Sequence, residues 1–205
     1  MDNNYEIISD ISSNDFRDYI TNEIFWNWKW GFTMDDAPDT TPHYRKEAEG
    51  RMLSDTGCVI TSFCDERTPD QNDYHFKLNN FAEYLSKAIL KRTKWEYSDL
   101  SLRRYCWNYY NAASSGVWHT DYVIGRVGTQ DHNGNTKNHL SVLYNFSDDG
   151  ATIIKNGDEE IYIPSVPGEA ILFDSFAEHR GVGPLKSEKR FALNMVFSYS
   201  ERTLR

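Results

Sequence analysis

From residue 102 to residue 199 the chain is cut into short β-prone runs by turn-forming residues, and this rhythm restricts the fold more than any other feature. Segments 102–110, 118–123, 139–146, 151–155, 159–163, 170–173 and 190–199 each read as a strand, rich in β-branched and aromatic residues. Asn156-Gly157 carries a type I′ hairpin signal, and Pro167-Gly168 marks another turn. Many short strands separated by turns over about a hundred residues predict an antiparallel sandwich or barrel of jelly-roll type.

The first half of the chain has a different period. Ser12-Ser13-Asn14-Asp15 is a helix-start signal, followed by Phe16, Tyr19, Ile20 and Ile24 on one apolar stripe. A second helix is predicted over 76–92, with Leu78, Phe81, Leu85, Ala88 and Ile89 as its apolar face. Lys87, Lys91 and Arg92 lie near its C-terminus, where the helix dipole favours cations. Glu6-Ile7-Ile8 and 57–63 read as strands, and Trp26, Trp28 and Trp30 alternate with smaller or polar residues as a strand with one apolar face would. Segments 34–50 and 122–138 are polar and read as long loops, the second placed to cover a substrate mouth. The expected fold class is α+β, mainly β: a double-stranded β-helix (jelly-roll) core over 102–199 on a helix-and-strand support over 1–101, in one domain spanning 1–205.

Charge and cysteine content narrow the function. The formal net charge of -9 opposes long-range attraction to nucleic-acid phosphates and anionic membranes. Cys58, Cys64 and Cys106 are odd in number and show no CxxC spacing, which argues against a disulfide framework or a structural zinc site. The N-terminus shows no basic and apolar leader pattern, and no apolar run has the length of a membrane span, so a cytoplasmic protein is expected.

The chemistry-bearing residues cluster late in the chain. His119 and Asp121 are two apart in a strand-like run, so they project to one face. If His179 comes from a neighbouring strand, two imidazoles and one carboxylate meet, a ligand set that suits non-haem Fe(II) and leaves coordination positions open. Trp118, Thr120 and Arg180 alternate with these residues and face away. Asp174 reads as a solvated turn residue, His132 as solvated in its polar loop, and His139 as bonded to its strand neighbours.

His119-Thr120-Asp121, then His179, then Arg190 eleven positions later form a pattern that resembles the Fe(II)- and 2-oxoglutarate-dependent oxygenases, closest to their prolyl-4-hydroxylase-like branch. The likeness covers 102–198, roughly half the chain. It implies catalysis at a metal held by His119, Asp121 and His179, with 2-oxoglutarate as cosubstrate and O2 as oxidant. The products would be succinate, CO2 and a substrate hydroxylated at a C–H bond. It implies that Arg190 anchors the distal carboxylate of 2-oxoglutarate, a role suited to a planar bidentate fork facing a buried anion. Tyr109, ten residues before His119, matches the tyrosine that the branch places beside the cosubstrate. Tyr144 matches the tyrosine that helps hold its distal carboxylate. Gly150-Ala151-Thr152 stands where the family often has a Gly-Gly pair, and Phe191-Ala192 follow Arg190 where many relatives have a serine two residues on. No substrate signature accompanies the pattern. A protein side chain such as prolyl and a small metabolite both stand as substrate classes, and the oligomeric state is not set. Two alternatives compete: a metal-dependent jelly-roll enzyme that does not use 2-oxoglutarate, and a non-catalytic jelly-roll interaction protein.

Overall fold

The computed structural model describes residues 5–27, 56–62, 73–111, 116, 118–121 and 138–205, with the backbone alone described for 23–27, 56–62, 73–79, 104, 106, 109 and 111. In chain order the elements are β1 (Tyr5–Ile8), α1 (Asn14–Asn27), β2 (Thr56–Ser62), α2 (Asp73–Arg92), β3 (Trp95–Tyr97), β4 (Ser101–Asn111), β5 (Asn138–Asn145), β6 (Ala151–Asn156), β7 (Glu159–Pro164), β8 (Ala170–Asp174), β9 (His179–Val182), β10 (Lys189–Tyr199) and β11 (Arg202–Leu204). One sheet has the strand order β1-β8-β5-β10-β4-β2, and a second has the order β7-β6-β9. Every strand pair in both is antiparallel.

Alternation along β10 sets the layering. Phe191, Leu193, Met195 and Phe197 point to one face of the large sheet. There they meet Tyr105 and Trp107 of β4, Leu140, Val142 and Tyr144 of β5, Ile20 of α1, and Ala82, Leu85 and Ile89 of α2. Trp107 stacks on Phe191 with ring centroids 5.5 Å apart. On the opposite face Ala192 joins Leu143, Ile171 and Phe173, which pack against Ile154 of β6 and Ile163 of β7 in the small sheet. The large sheet is therefore covered twice, by helices on one side and by the small sheet on the other. A strand buried on both faces needs apolar residues at odd and even positions alike, so β10 reads as a mostly hydrophobic run. The few polar residues on its inner face, Arg190 and Asn194, stand out for that reason.

The mainly-β jelly-roll arrangement is as expected, as an open two-sheet sandwich and not a closed barrel. Several local expectations need correction. The backbone at Trp26 belongs to α1 and not to a strand, because the apolar helical stripe carries the helix through to Asn27. Trp28 and Trp30 lie outside the described residues, as do the 34–50 loop, His132 and the 122–137 part of the proposed mouth-covering loop. Segment 118–121 is not a regular strand; only His119 pairs, in a single antiparallel bridge to His179. The β6–β7 turn is displaced by one residue. Asn156 pairs with Glu159, so the two-residue turn is Gly157-Asp158. Gly157 has φ 65° and Asp158 is not among the positive-φ residues, a type II′ pattern in place of type I′. The β3–β11 pair was not foreseen, being only three residues on each side.

Leu85 is fully buried between α2 and the large sheet. Leu85→Ala is expected to lower unfolding free energy by about 2–5 kcal/mol. The exposed Leu185→Ala should stay within about 0.5 kcal/mol of the parent. Urea denaturation followed by circular dichroism checks both.

Candidate metal centre

Backbone pairing, more than side-chain packing, brings the site together. His119 N donates to His179 O at 3.0 Å and His179 N to His119 O at 2.9 Å. Three residues upstream of His119, Gly116 N donates to Gly181 O at 2.8 Å. Gly116 and His119 thus pair in antiparallel register with β9. A side chain on Gly116 would crowd the Gly181 backbone, with O and N 3.2 and 3.3 Å from an added Cβ, so glycine permits the close approach.

This pairing puts the two imidazoles side by side, with ring centroids 4.3 Å apart. Asp121 completes a group whose ligand atoms all lie within 4.8 Å of one another. Asp121 and His179 are buried, and His119 is half-buried. Asp121 Oδ2 stands 3.5 Å from His179 Nε2. His179 Nδ1 lies 3.0 Å from Ala177 O. A carbonyl can only accept, so Nδ1 carries the proton and Nε2 presents its lone pair toward Asp121. Phe173 packs edge-on against the same ring with centroids 4.7 Å apart, which fixes its plane.

Asp121 is held just as firmly. Ser141 Oγ of β5 donates to Oδ2 at 2.7 Å, and Asn194 Nδ2 of β10 lies 3.0 Å from both carboxylate oxygens. Ser141 Oγ is also 2.8 Å from Ser175 Oγ. A carboxylate fixed by neutral donors, facing two imidazole nitrogens at chelating distance, is a donor set that fits a divalent transition metal with open positions.

Arg190 lies on the same inner face of β10 as Asn194, four residues before it, and is 1% exposed. Its Nη1 donates to the carbonyls of Ala151 and Val182, and its Nη2 donates to Asn145 Oδ1 and Thr152 Oγ1, each at 3.0 Å. Among the described residues no carboxylate pairs with it. Burial holds the guanidinium below its usual range, a displacement that neighbouring Tyr110 opposes. Its Nε and the Nδ2 of Asn145 are buried donors with no partner among the described residues. The Tyr110 ring centroid lies 5.3 Å from the guanidinium carbon, and the ring covers Gly181, where no side chain would fit beneath it. Gly150, at φ 85°, is equally constrained. An added Cβ would come within 2.7 Å of Val182 O and 2.8 Å of Arg190 Cδ.

One expected cosubstrate contact falls elsewhere, and the side chain of another is outside the described residues. Tyr144 is fully buried on the helix-covered face, edge-on to Phe146, with its hydroxyl 2.5 Å from Ser12 Oγ. That is the sheet face opposite Arg190, because Asn145, the next residue, takes the inner position. Burial raises the Tyr144 phenol above its usual range, while the Ser12 contact and nearby Arg17 act against the rise. Tyr109 pairs through its backbone with Phe191, and its side chain lies outside the described residues. Tyr110, opposite Arg190 in the register, is the tyrosine at the guanidinium. The residues that sequence reasoning missed are Tyr110, Ser141, Asn145, Thr152 and Asn194. Inner-face alternation counted forward from Arg190 would have flagged Asn194 and, across the ladder, Asn108 and Tyr110.

The other residues weighed beside the ligands lie as follows. Trp118 lies between Lys155 and Arg180, 4.5 and 4.6 Å from its ring centroid. Asp174 accepts the Phe176 amide at 2.9 Å in a turn. His139 is buried and its carbonyl accepts from Ser175 N at 3.2 Å.

Asp121→Ala removes the only carboxylate of the group and should abolish tight Co(II) binding while the far-UV spectrum is retained; calorimetric titration reads the loss. Gly150→Ala forces a non-glycine residue into positive φ against Val182 O and Arg190. The expected cost is more than about 1 kcal/mol, read as a lower urea midpoint.

No family model and no curated protein matches the sequence. Solved structures do match. The viral collagen prolyl hydroxylase of Paramecium bursaria Chlorella virus-1, solved with 2OG, aligns at 12% identity over 98% of each chain, with a TM-score of 0.54. A Pseudomonas putida prolyl-4-hydroxylase aligns at 15% identity over 97% of this chain and 93% of its own, TM-score 0.53. A Trichoplax adhaerens prolyl hydroxylase in complex with a hypoxia-inducible-factor peptide fragment aligns at 14% identity over 97% and 84%, TM-score 0.53. At these identities the likeness speaks for the fold, and over nearly its whole length this chain has the jelly-roll fold of the prolyl hydroxylases.

Proposed function

We propose that this chain is an Fe(II)- and 2-oxoglutarate-dependent dioxygenase that hydroxylates a C–H bond. The observation that carries the reading is one sandwich interior holding both a His119, Asp121 and His179 chelating group and the buried Arg190, which has no carboxylate partner among the described residues. When bound, Fe(II) with 2-oxoglutarate and O2 supplies the oxidising chemistry, releasing succinate and CO2. What the chain supplies is position and shielding. His119 and His179 offer imidazole nitrogens fixed by the bridge between them. Asp121 offers the single negative charge, oriented by Ser141 and Asn194. Phe173 and the inter-sheet apolar residues keep water from the back of the site.

Arg190 is the part of the site built for an acid. A buried guanidinium needs a compensating charge or a full set of acceptors. Four acceptors occupy Nη1 and Nη2, while Nε and Asn145 Nδ2 stay unpartnered among the described residues. A dicarboxylate's distal oxygens suit those two donors. Tyr110 has the position beside the guanidinium that the family likeness assigns to a tyrosine. The occupied Nη atoms favour a second reading, in which Arg190 cross-braces the two sheets and the centre works without 2-oxoglutarate.

The substrate is proposed as a protein side chain, with a small metabolite as the other class. The Trichoplax protein, crystallised with a peptide, supports the first. A prolyl substrate is the form this takes in all three similar structures.

Anaerobic titration of the Fe(II)-loaded protein with 2-oxoglutarate should produce the weak visible charge-transfer band of the chelate. Arg190→Ala should leave Fe(II) affinity within a few-fold and weaken 2-oxoglutarate binding by about 30-fold or more, the effect of roughly 2 kcal/mol or more at a buried charged contact. Arg190→Lys keeps the charge without the fork and guards against a folding defect. A band that never appears, or one insensitive to both substitutions, favours the second reading.

A further inference from the structure

Asn194 lies on the inner face of β10, 6% exposed, opposite Leu143 on one neighbouring strand and Cys106 on the other. Its amide orientation is determined by chemistry. A carboxylate only accepts, so the atom 3.0 Å from both Asp121 oxygens must be Nδ2. Oδ1 is then directed away from Asp121, and it is a buried acceptor with no partner among the described residues. Buried polar atoms without partners are few in native proteins, and each calls for a physical explanation.

Two donors of the site are already engaged. Ser141 Oγ gives its proton to Asp121, and His179 Nδ1 gives its proton to Ala177 O. His179 Nε2 faces Asp121 as a lone pair. No donor among the described residues reaches Asn194 Oδ1, so a ligand is the donor that this buried acceptor can still take up. Beside a metal-binding carboxylate, the donor at hand is a water carried on the metal, whose protons are made more acidic by the ion.

Asn194 also orients Asp121. A carboxylate has about four lone-pair sites. Three contacts, two from Asn194 Nδ2 and one from Ser141 Oγ, already fall on its oxygens. These contacts fix the orientation of the carboxylate beside the two imidazoles.

We propose that Asn194 is a positioning residue of the metal centre, orienting Asp121 through Nδ2 and accepting a hydrogen bond at Oδ1 from a water on the metal. This rests on the metal-centre reading above, and the test separates the two. Mn(II) is the probe. Its affinity is read by electron paramagnetic resonance of the free ion, and exchange of its bound water by solvent proton relaxation over a range of fields and temperatures. Asn194→Leu removes both amide functions at similar volume. Mn(II) affinity should fall about 10- to 100-fold, and the bound water should exchange several-fold faster. Asn194→Ser, whose hydroxyl can both donate and accept, should recover part of each.

Asn194→Leu protein with affinity and water exchange both within twofold of the parent overturns the inference while leaving the metal centre standing. Lost affinity with unchanged water exchange overturns the Oδ1 contact, because a purely structural defect would move affinity alone. Parent protein that takes up no Mn(II), Fe(II) or Co(II) overturns this inference and the proposed function together. If the leucine is not accommodated, as judged by the urea midpoint, Asn194→Val is read in the same way.

Discussion

Two opposite charges sit inside a β-sandwich whose other contents are largely apolar, and most of the site follows from how each is kept there. Asp121 and Arg190 are both buried, yet they are not bonded to each other. Each is instead surrounded by neutral dipoles. Asp121 receives a hydroxyl and an amide; Arg190 gives to two carbonyls, an amide oxygen and a hydroxyl. Direct pairing would have neutralised both and left a structural salt bridge. Keeping them apart preserves a negative end suited to a cation and a positive end suited to an anion. In a medium of low dielectric such separation is costly, and sites that bear it without an evident stability gain are commonly functional.

The two asparagines act as adaptors at these ends. Asn145 turns its oxygen to Arg190 and is left with a donor; Asn194 turns its nitrogen to Asp121 and is left with an acceptor. A side-chain amide beside a charge passes on a weaker echo of that charge to its other side. Donors therefore accumulate at the arginine end and an acceptor is added at the aspartate end, the polarity that a metal-bound, anion-tailed ligand would need.

Much of the fold was legible because burial on both faces of the central strands writes itself as long apolar runs. β5, β6, β8 and β10 were found within a residue or two, and the helical stripe of Leu85 and Ile89 is the face that packs. The misplacement of Tyr144 has one cause, a parity that a single sequence does not fix. A one-residue slip moves every side chain of a strand to the other face. Tyr144 and Asn145 are neighbours, and an aromatic residue looked the better ligand; the core took the aromatic and the site took the amide. Counting ten residues back from His119 lands on Tyr109, whereas the register opposite Arg190 falls on Tyr110. The segment at 118–121 escaped as an irregular stretch because its one bridge depends on β9, sixty residues away in the chain.

The low identity to proteins of the same fold has a physical explanation in this division of faces. The helix-covered face needs only apolar volume. Such positions exchange Leu, Ile, Val, Phe and Met at modest cost when total volume is kept. The constrained positions are few and scattered: Gly116 for a close backbone approach, Gly150 at positive φ against Arg190, and Gly181 beneath Tyr110. To these are added the chelating residues and the dipoles around the two charges. A sequence can change at most of its positions and still build this interior, provided that short set is respected. That set is too sparse for overall sequence comparison to detect, yet dense enough in space to make a site, since most of it lies on β9, the inner face of β10 and the residues they touch.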